Sequence, residues 1–142
     1  MENQQSLLHN QNEFPQQGAS MDFYSIVRSA HLNGYGFLFG GTLLGWVDEF
    51  AYSAAVIEFP LSKFVTRCMD RVNFTQSVRS GALLRFHVTR IHLGRTSVQH
   101  YVEVFSRDIQ CTTERLIFMT IVTMVSVNEK GEKTPIIVPQ KN

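Results

Sequence analysis

The 142-residue sequence has very little net charge: thirteen Lys and Arg stand against twelve Asp and Glu, a formal +1. Such a chain has no overall field to hold it on DNA, RNA or anionic lipid, so neither nucleic acid nor membrane is expected as a partner, and any bound anion has to be caught by a local cluster. It has two cysteines, Cys68 and Cys111, and no Cys or His pair at zinc-ligand spacing. That excludes a disulfide framework and gives no metal site. Both thiols are read as reduced, in a reducing compartment. The first basic residue is Arg28, whereas secretory and transit signals need early positive charge. No apolar run reaches the roughly 18 residues of a membrane span. A cytoplasmic location is expected. What is abundant is apolar material, 44% of residues with eleven Phe, enough for a real core and against wholesale disorder.

Eight of the first twenty residues are Asn or Gln. Residues 1–20 are therefore expected to form a flexible tail, with one domain over 21–142. Strand patterns cover Asp22 to Arg28, Phe64 to Phe74, Leu83 to His92, Ser97 to Phe105 and Leu116 to Val127. The last is apolar on both faces and is expected to be covered on both. His31 to Gly41 carries four glycines and reads as a loop. Pro135 to Pro139 reads as an exit segment laid along the domain. Thr42 to Val56 has helical apolar spacing, and from Thr42 to Ala55 its only charges are Asp48 and Glu49. A helix with so narrow a polar face has to lie mostly inside, and strands joined by short turns suggest an antiparallel sheet wrapped around it.

That makes the two carboxylates conspicuous. Adjacent helical side chains point about 100° apart, so one can reach solvent while the other faces the sheet or a cleft. A buried carboxylate costs several kcal/mol unless paired, so ion pairing is one explanation and a reactive site the other. Phe39-Gly40-Gly41-Thr42 sets two glycines at the helix start, where free N–H groups and the helix dipole can hold an oxygen that gains negative charge. Asp48 lies about two turns further on, on the order of 10 Å.

The segment His31-Leu-Asn-Gly-Tyr-Gly-Phe-Leu-Phe-Gly-Gly-Thr-Leu-Leu-Gly-Trp-Val-Asp-Glu-Phe-Ala-Tyr52 resembles acyl-CoA thioesterases of the hotdog-fold superfamily, of the hydroxybenzoyl-CoA thioesterase-like type. Val65 to Phe74, Val78-Arg79-Ser80-Gly81 and Gly94-Arg95-Thr96-Ser97 resemble further family segments in the same order. The resemblance covers roughly 20–138. It implies an α+β hotdog fold, an antiparallel sheet around one long central helix. It also implies hydrolysis of an acyl-CoA thioester without cofactor, in homodimers that share the site between chains.

By matching position the resemblance makes Asp48 the general base or nucleophile, and has Asn33 place the water or thioester. The N–H of Gly41, with Gly40, would hold the thioester oxygen. Thr66 would line the cleft from the partner chain, and Arg95 with Thr96 and Ser97 would grip the CoA moiety. Lys63, Arg67 and Arg71, on one strand face by the period of two, are a further candidate surface for the nucleotide end. Two features depart from the usual pattern: Ser77 stands where a proline is common, and Tyr35 and Phe37 are bulky enough to narrow the entrance. His31 has no required role, and His87, His92 and His100 show no evident partner. The two-sided last strand implies assembly to a tetramer or hexamer. The alternatives are a module that binds acyl thioesters without hydrolysing them, and a thioesterase acting on acyl-carrier protein. A hotdog dehydratase would need a His and acid in a loop pattern absent here.

Overall fold

A computed structural model describes residues 18–140. Its elements run β1 (Ser20–Ile26), a 3-10 turn (Ser29–His31), α1 (Gly40–Glu58), β2 (Phe64–Phe74), β3 (Leu83–Leu93), β4 (Ser97–Arg107) and β5 (Arg115–Ser126). The five strands form one antiparallel sheet in the order β1-β3-β4-β5-β2. It packs on α1, and this is the hotdog arrangement expected above.

Strand alternation explains the core. Leu84, Phe86 and Val88 of β3, Val98, Val102 and Val104 of β4, and Phe118, Val122 and Met124 of β5 face inward and are fully buried. They meet Leu43, Val47, Ala51, Ala54 and Ala55 of α1. Each large apolar side chain removed from water here stabilises the fold by roughly 1.5–3 kcal/mol. The small Ala51, Ala54 and Ala55 let the second half of the helix lie close to the sheet. The first half stands on an aromatic chain: Phe23 stacks on Phe50, Phe50 meets Phe86, and Trp46 meets Phe86 edge-on.

The helix is longer and less enclosed than its sequence implies. It begins at Gly40 rather than Thr42, since glycines in a first turn lose little when the N–H groups there have no helical partner anyway. Gly41, Gly45, Glu49, Tyr52 and Ile57 are exposed, leaving one face of α1 open. The other end of the chain follows expectation: Ile136 N–H donates to Arg95 O, and Ile137 N–H to Ser62 Oγ. The tail expected over residues 1–20 lies outside the described residues up to 17. Gly18 N–H donates to Arg90 O, and β1 begins at Ser20.

β2 is an edge strand and most of it is exposed. Its pairing with β5 slips twice, between Thr66 and Cys68 and between Asp70 and Asn73. Arg71 sits in the second irregularity at φ 57°. Each bulge inserts an extra residue, which breaks the alternation. The expectation that Lys63, Arg67 and Arg71 share one face is corrected on this ground. No helix among the described residues is long and apolar enough to cross a membrane.

Candidate functional site

The loop before α1 is a small closed hairpin. Asn33 N–H donates to Phe37 O at 2.7 Å, and Gly36 N–H to Asn33 O at 3.1 Å. Gly36 has φ +84°, the left-handed region that favours glycine. Asn33 Oδ1 accepts the N–H groups of Tyr35 (2.9 Å) and Phe37 (3.1 Å). The base is closed by Phe39 N–H on His31 O and Leu38 N–H on Val78 O. Phe39 then caps α1 in an extended conformation, and its carbonyl takes the N–H groups of Thr42 and Leu43. Gly40 and Gly41 N–H have no backbone partner among the described residues. The Phe39 ring leans over Gly41, where a Cβ would come within 2.7 Å of it.

Asp48 is half-buried on α1, on the face it shares with exposed Gly41 and Gly45. Thr66 of β2 donates its hydroxyl to Asp48 Oδ1 at 2.5 Å. Thr66 thus reaches Asp48 within one chain, because the first residues of β2 run alongside the middle of α1, so the two residues enter any site together. The pair lies beside the open β2 edge.

Arg95, Thr96 and Ser97 are elsewhere. Their turn joins β3 to β4, where Ser126 N–H reaches Thr96 O, so it lies at the end of the sheet where β5 finishes and β2 begins. The loop of Gly40 and Gly41 is tied to Val78, at the end where β2 finishes and β3 begins. Eleven residues of β3 separate the two ends, roughly 35 Å at the rise of a strand. One chain therefore brings Asp48 to Thr66 and Asn33 to the Gly40–Gly41 helix start, but not Arg95 to Gly41.

Two open clefts lie among the described residues. One of about 430 Å³ is lined by Tyr24, Ile26, Arg28, His31, Trp46 and Leu83 among others. The other, about 480 Å³, is lined by Phe37, Ser77, Arg79, Ser80, Ile109 and Arg115 among others. Neither of these two is lined by Asp48 or Gly41. Among the described residues no three His, Cys, Asp or Glu side chains are grouped to hold a metal ion.

A family model described as the thioesterase superfamily matches residues 35–113. The chain belongs to the thioesterase superfamily. It is 30% identical to an uncharacterised acyl-CoA thioester hydrolase of Zymomonas mobilis, over 82% of this chain and 76% of that one. It is 26% identical to an uncharacterised acyl-CoA thioester hydrolase of Bacillus subtilis over 112 residues, 76% of this chain. That match spans 63% of the B. subtilis protein, less than two thirds of its length. Among solved structures, an apo-hexameric acyl-CoA thioesterase superposes with a TM-score of 0.77 at 31% identity, covering 86% of this chain and 79% of that one.

Several side chains around the site make contacts that the sequence alone did not show. Tyr35 is 88% exposed and stands off in solvent, while Phe37 lies under the Arg79 guanidinium at 5.1 Å. At Ser77 the turn is held by Arg115, which donates to Gln76 Oε1 and Ser77 O while paired with Asp108. His31 accepts the Arg28 N–H on Nδ1 and meets Trp46 edge-on, so it anchors the loop. His87 does have a partner: its Nδ1 lies 2.8 Å from Asp22 Oδ1. Asp22 also meets Arg85, which joins Glu114. Burial raises the Asp22 carboxyl, but His87 and Arg85 outweigh it, so its pKa lies below the ordinary value. Glu103, paired across the sheet with His87, is pushed up by desolvation.

Proposed function

We propose that the protein hydrolyses an acyl-CoA thioester to a carboxylic acid and CoA. The observation that carries this is the Asp48–Thr66 pair on the open face of α1, one turn past Gly45 and two past the Gly40 and Gly41 N–H groups, which have no backbone partner among the described residues. Superfamily membership and the hexameric acyl-CoA thioesterase at 31% identity support it.

In this mechanism Asp48 takes a proton from water, whose oxygen attacks the thioester carbon. Charge builds on the carbonyl oxygen, and Gly41 N–H, with Gly40, holds it at the positive end of α1. The C–S bond then breaks. A thiol pKa of about 8.5 makes the thiolate a good leaving group, so one base and one oxyanion site suffice. Thr66 holds Asp48 by its Oδ1, leaving Oδ2 for the proton. Asp48 can instead attack the carbon itself, forming an anhydride that water cleaves.

Arg95, with Thr96 and Ser97, grips a phosphate of CoA through guanidinium and backbone donors. The roughly 35 Å between this turn and the helix start within one chain supports a site built by two chains. The long edge of β2, with Val65, Val72 and Phe74 exposed, is the surface on which we pair the two copies. Three such dimers make the hexamer we infer. The exposed Cys68 and Cys111 suit the reducing cytoplasm.

A panel of acyl-CoA thioesters of increasing chain length, with released thiol read by a disulfide reagent, tests the activity. Turnover on at least one is expected. Tight binding with no thiol released would favour a module that only holds acyl thioesters, and release from acyl-carrier protein alone would move the substrate to that class.

A further inference from the structure

We propose that the two ends of the Asn33 amide do separate jobs: Oδ1 builds the loop, and Asn33 enters the chemistry only as a hydrogen-bond donor, through Nδ2. The proposal rests on the hydrolase reading above and deepens it. An amide at this place can in principle orient water by accepting its proton, or hold an oxygen by donating. The bonds at Asn33 separate the two. Tyr35 N–H and Phe37 N–H both point at one end of the amide, so that end is the oxygen, and its two lone pairs are filled. What remains is the NH₂ group, which can donate to the thioester carbonyl or to the oxygen of the attacking water but can accept from neither.

The molecule contains its own control. Asn128, in the turn after β5, makes the same four bonds. Its Oδ1 accepts Lys130 N–H at 2.9 Å and Glu132 N–H at 3.0 Å. Gly131 N–H donates to Asn128 O at 3.0 Å, and Asn128 N–H to Glu132 O at 2.8 Å. Gly131 has φ +78°, against +84° at Gly36. Asn-Gly-Tyr-Gly-Phe and Asn-Glu-Lys-Gly-Glu thus fold alike, sharing an Asn with a Gly three residues on. The Asn128 turn is an exposed hairpin carrying none of the candidate groups. The oxygen's bonds are therefore a way of closing a five-residue loop, found where no chemistry is proposed. Any chemical role particular to Asn33 falls to the nitrogen.

An aspartate keeps the acceptor and removes the donor. Asn33→Asp should retain slow amide exchange across residues 33–41, whereas Asn33→Ala should lose it. With the loop intact, kcat of Asn33→Asp on the best acyl-CoA should fall about 10²–10³-fold, the usual loss of one donor to a developing oxyanion. Inhibition by product CoA should stay within about threefold of wild type, which separates a loss in the chemical step from a loss of substrate binding. Asn128→Asp, made in parallel, should leave both kcat and exchange unchanged. An Asn33→Asp enzyme with near-normal kcat would overturn the donor role, and so would one whose loss lies in KM and CoA affinity alone. Fast exchange in Asn33→Asp, equal to that of Asn33→Ala, would overturn the role of the oxygen. A wild type that hydrolyses no acyl-CoA would instead sink the hydrolase reading, and the exchange comparison would still decide the role of the oxygen.

Discussion

Thr66 and Asp48 are eighteen residues apart in sequence and on different elements, yet the threonine hydroxyl lies 2.5 Å from the carboxylate. The bond fixes which oxygen of Asp48 is held and which is available. It also ties the helix to the edge strand at the point where a second chain is proposed to join.

Asp48→Asn keeps the size of the side chain and its bond to Thr66 but removes the base. Loss of a general base typically costs about 10²–10⁴ in rate. Steady-state kinetics should show that fall in kcat with little change in KM. Thr66→Val leaves the carboxylate in place and removes its positioning partner. A hydrogen bond to a charged group is worth roughly 1.5–3 kcal/mol when made, so a smaller loss of about tenfold is expected. Near-normal turnover in Asp48→Asn would favour the binding-module alternative.

The core strands, the helix and the glycine-pair loop were legible in sequence because they rest on periods and on local chemistry. Leu84, Phe86 and Val88 alternate, and Leu43, Val47 and Ala54 recur at helical spacing. The face assignment of β2 was not legible: nothing in Val65 to Phe74 announces a bulge, and each bulge turns the following side chains over. Pairs made by sheet register were also hidden. Asp22 and His87 meet only because β1 and β3 align them, 65 residues apart. Of the candidate site, the helical groups could be placed from the chain alone. The distance from Gly41 to Arg95 could not, because it depends on which end of the sheet each turn occupies.

If Arg95 grips a CoA phosphate, Arg95→Ala should raise KM for acyl-CoA about tenfold or more, the worth of one charge-assisted contact. A short pantetheine thioester, which lacks the nucleotide, should be hydrolysed at the wild-type rate. An equal loss on both substrates would show that Arg95 acts through its turn, to which Ile136 is tied.

His100 provides a test in pH. It is 1% exposed on the inward face of β4, with neither ring nitrogen hydrogen-bonded. Its register partner on β3 is Arg90, which is paired with Glu58, and on β5 Val122. Burial, helped by the Arg90 charge, holds the His100 pKa down from 6.5 to about 4. A depressed pKa means that the folded state prefers the neutral ring. Stability tied to His100 is therefore complete above about pH 6.5 and is lost as pH falls towards 4, by roughly 3 kcal/mol over that window. Denaturant titrations at pH 7.5 and 4.5 should show a wild-type loss larger than that of His100→Leu, whose buried leucine binds no proton. Equal losses in the two proteins would remove His100 from the acid sensitivity.

Sharing of the site between chains can be tested by complementation. Suppose Asn33 of one chain works with Asp48 of the other. Asn33→Asp and Asp48→Asn homodimers should then each be nearly inactive. Unfolding and refolding an equal mixture forms mixed dimers in half of the molecules when pairing is random. One site of a mixed dimer carries both lesions and the other carries neither, so the mixture should recover roughly a quarter of wild-type activity. Assembly into hexamers leaves this ratio unchanged, because each site still draws on one dimer. If Asn33 and Asp48 acted within one chain, every site in the mixture would keep one lesion. No recovery beyond the parent variants, in a mixture shown by mass spectrometry to contain mixed dimers, would return the site to a single chain. The roughly 35 Å separation of Arg95 from Gly41 would then have to be bridged by the substrate itself.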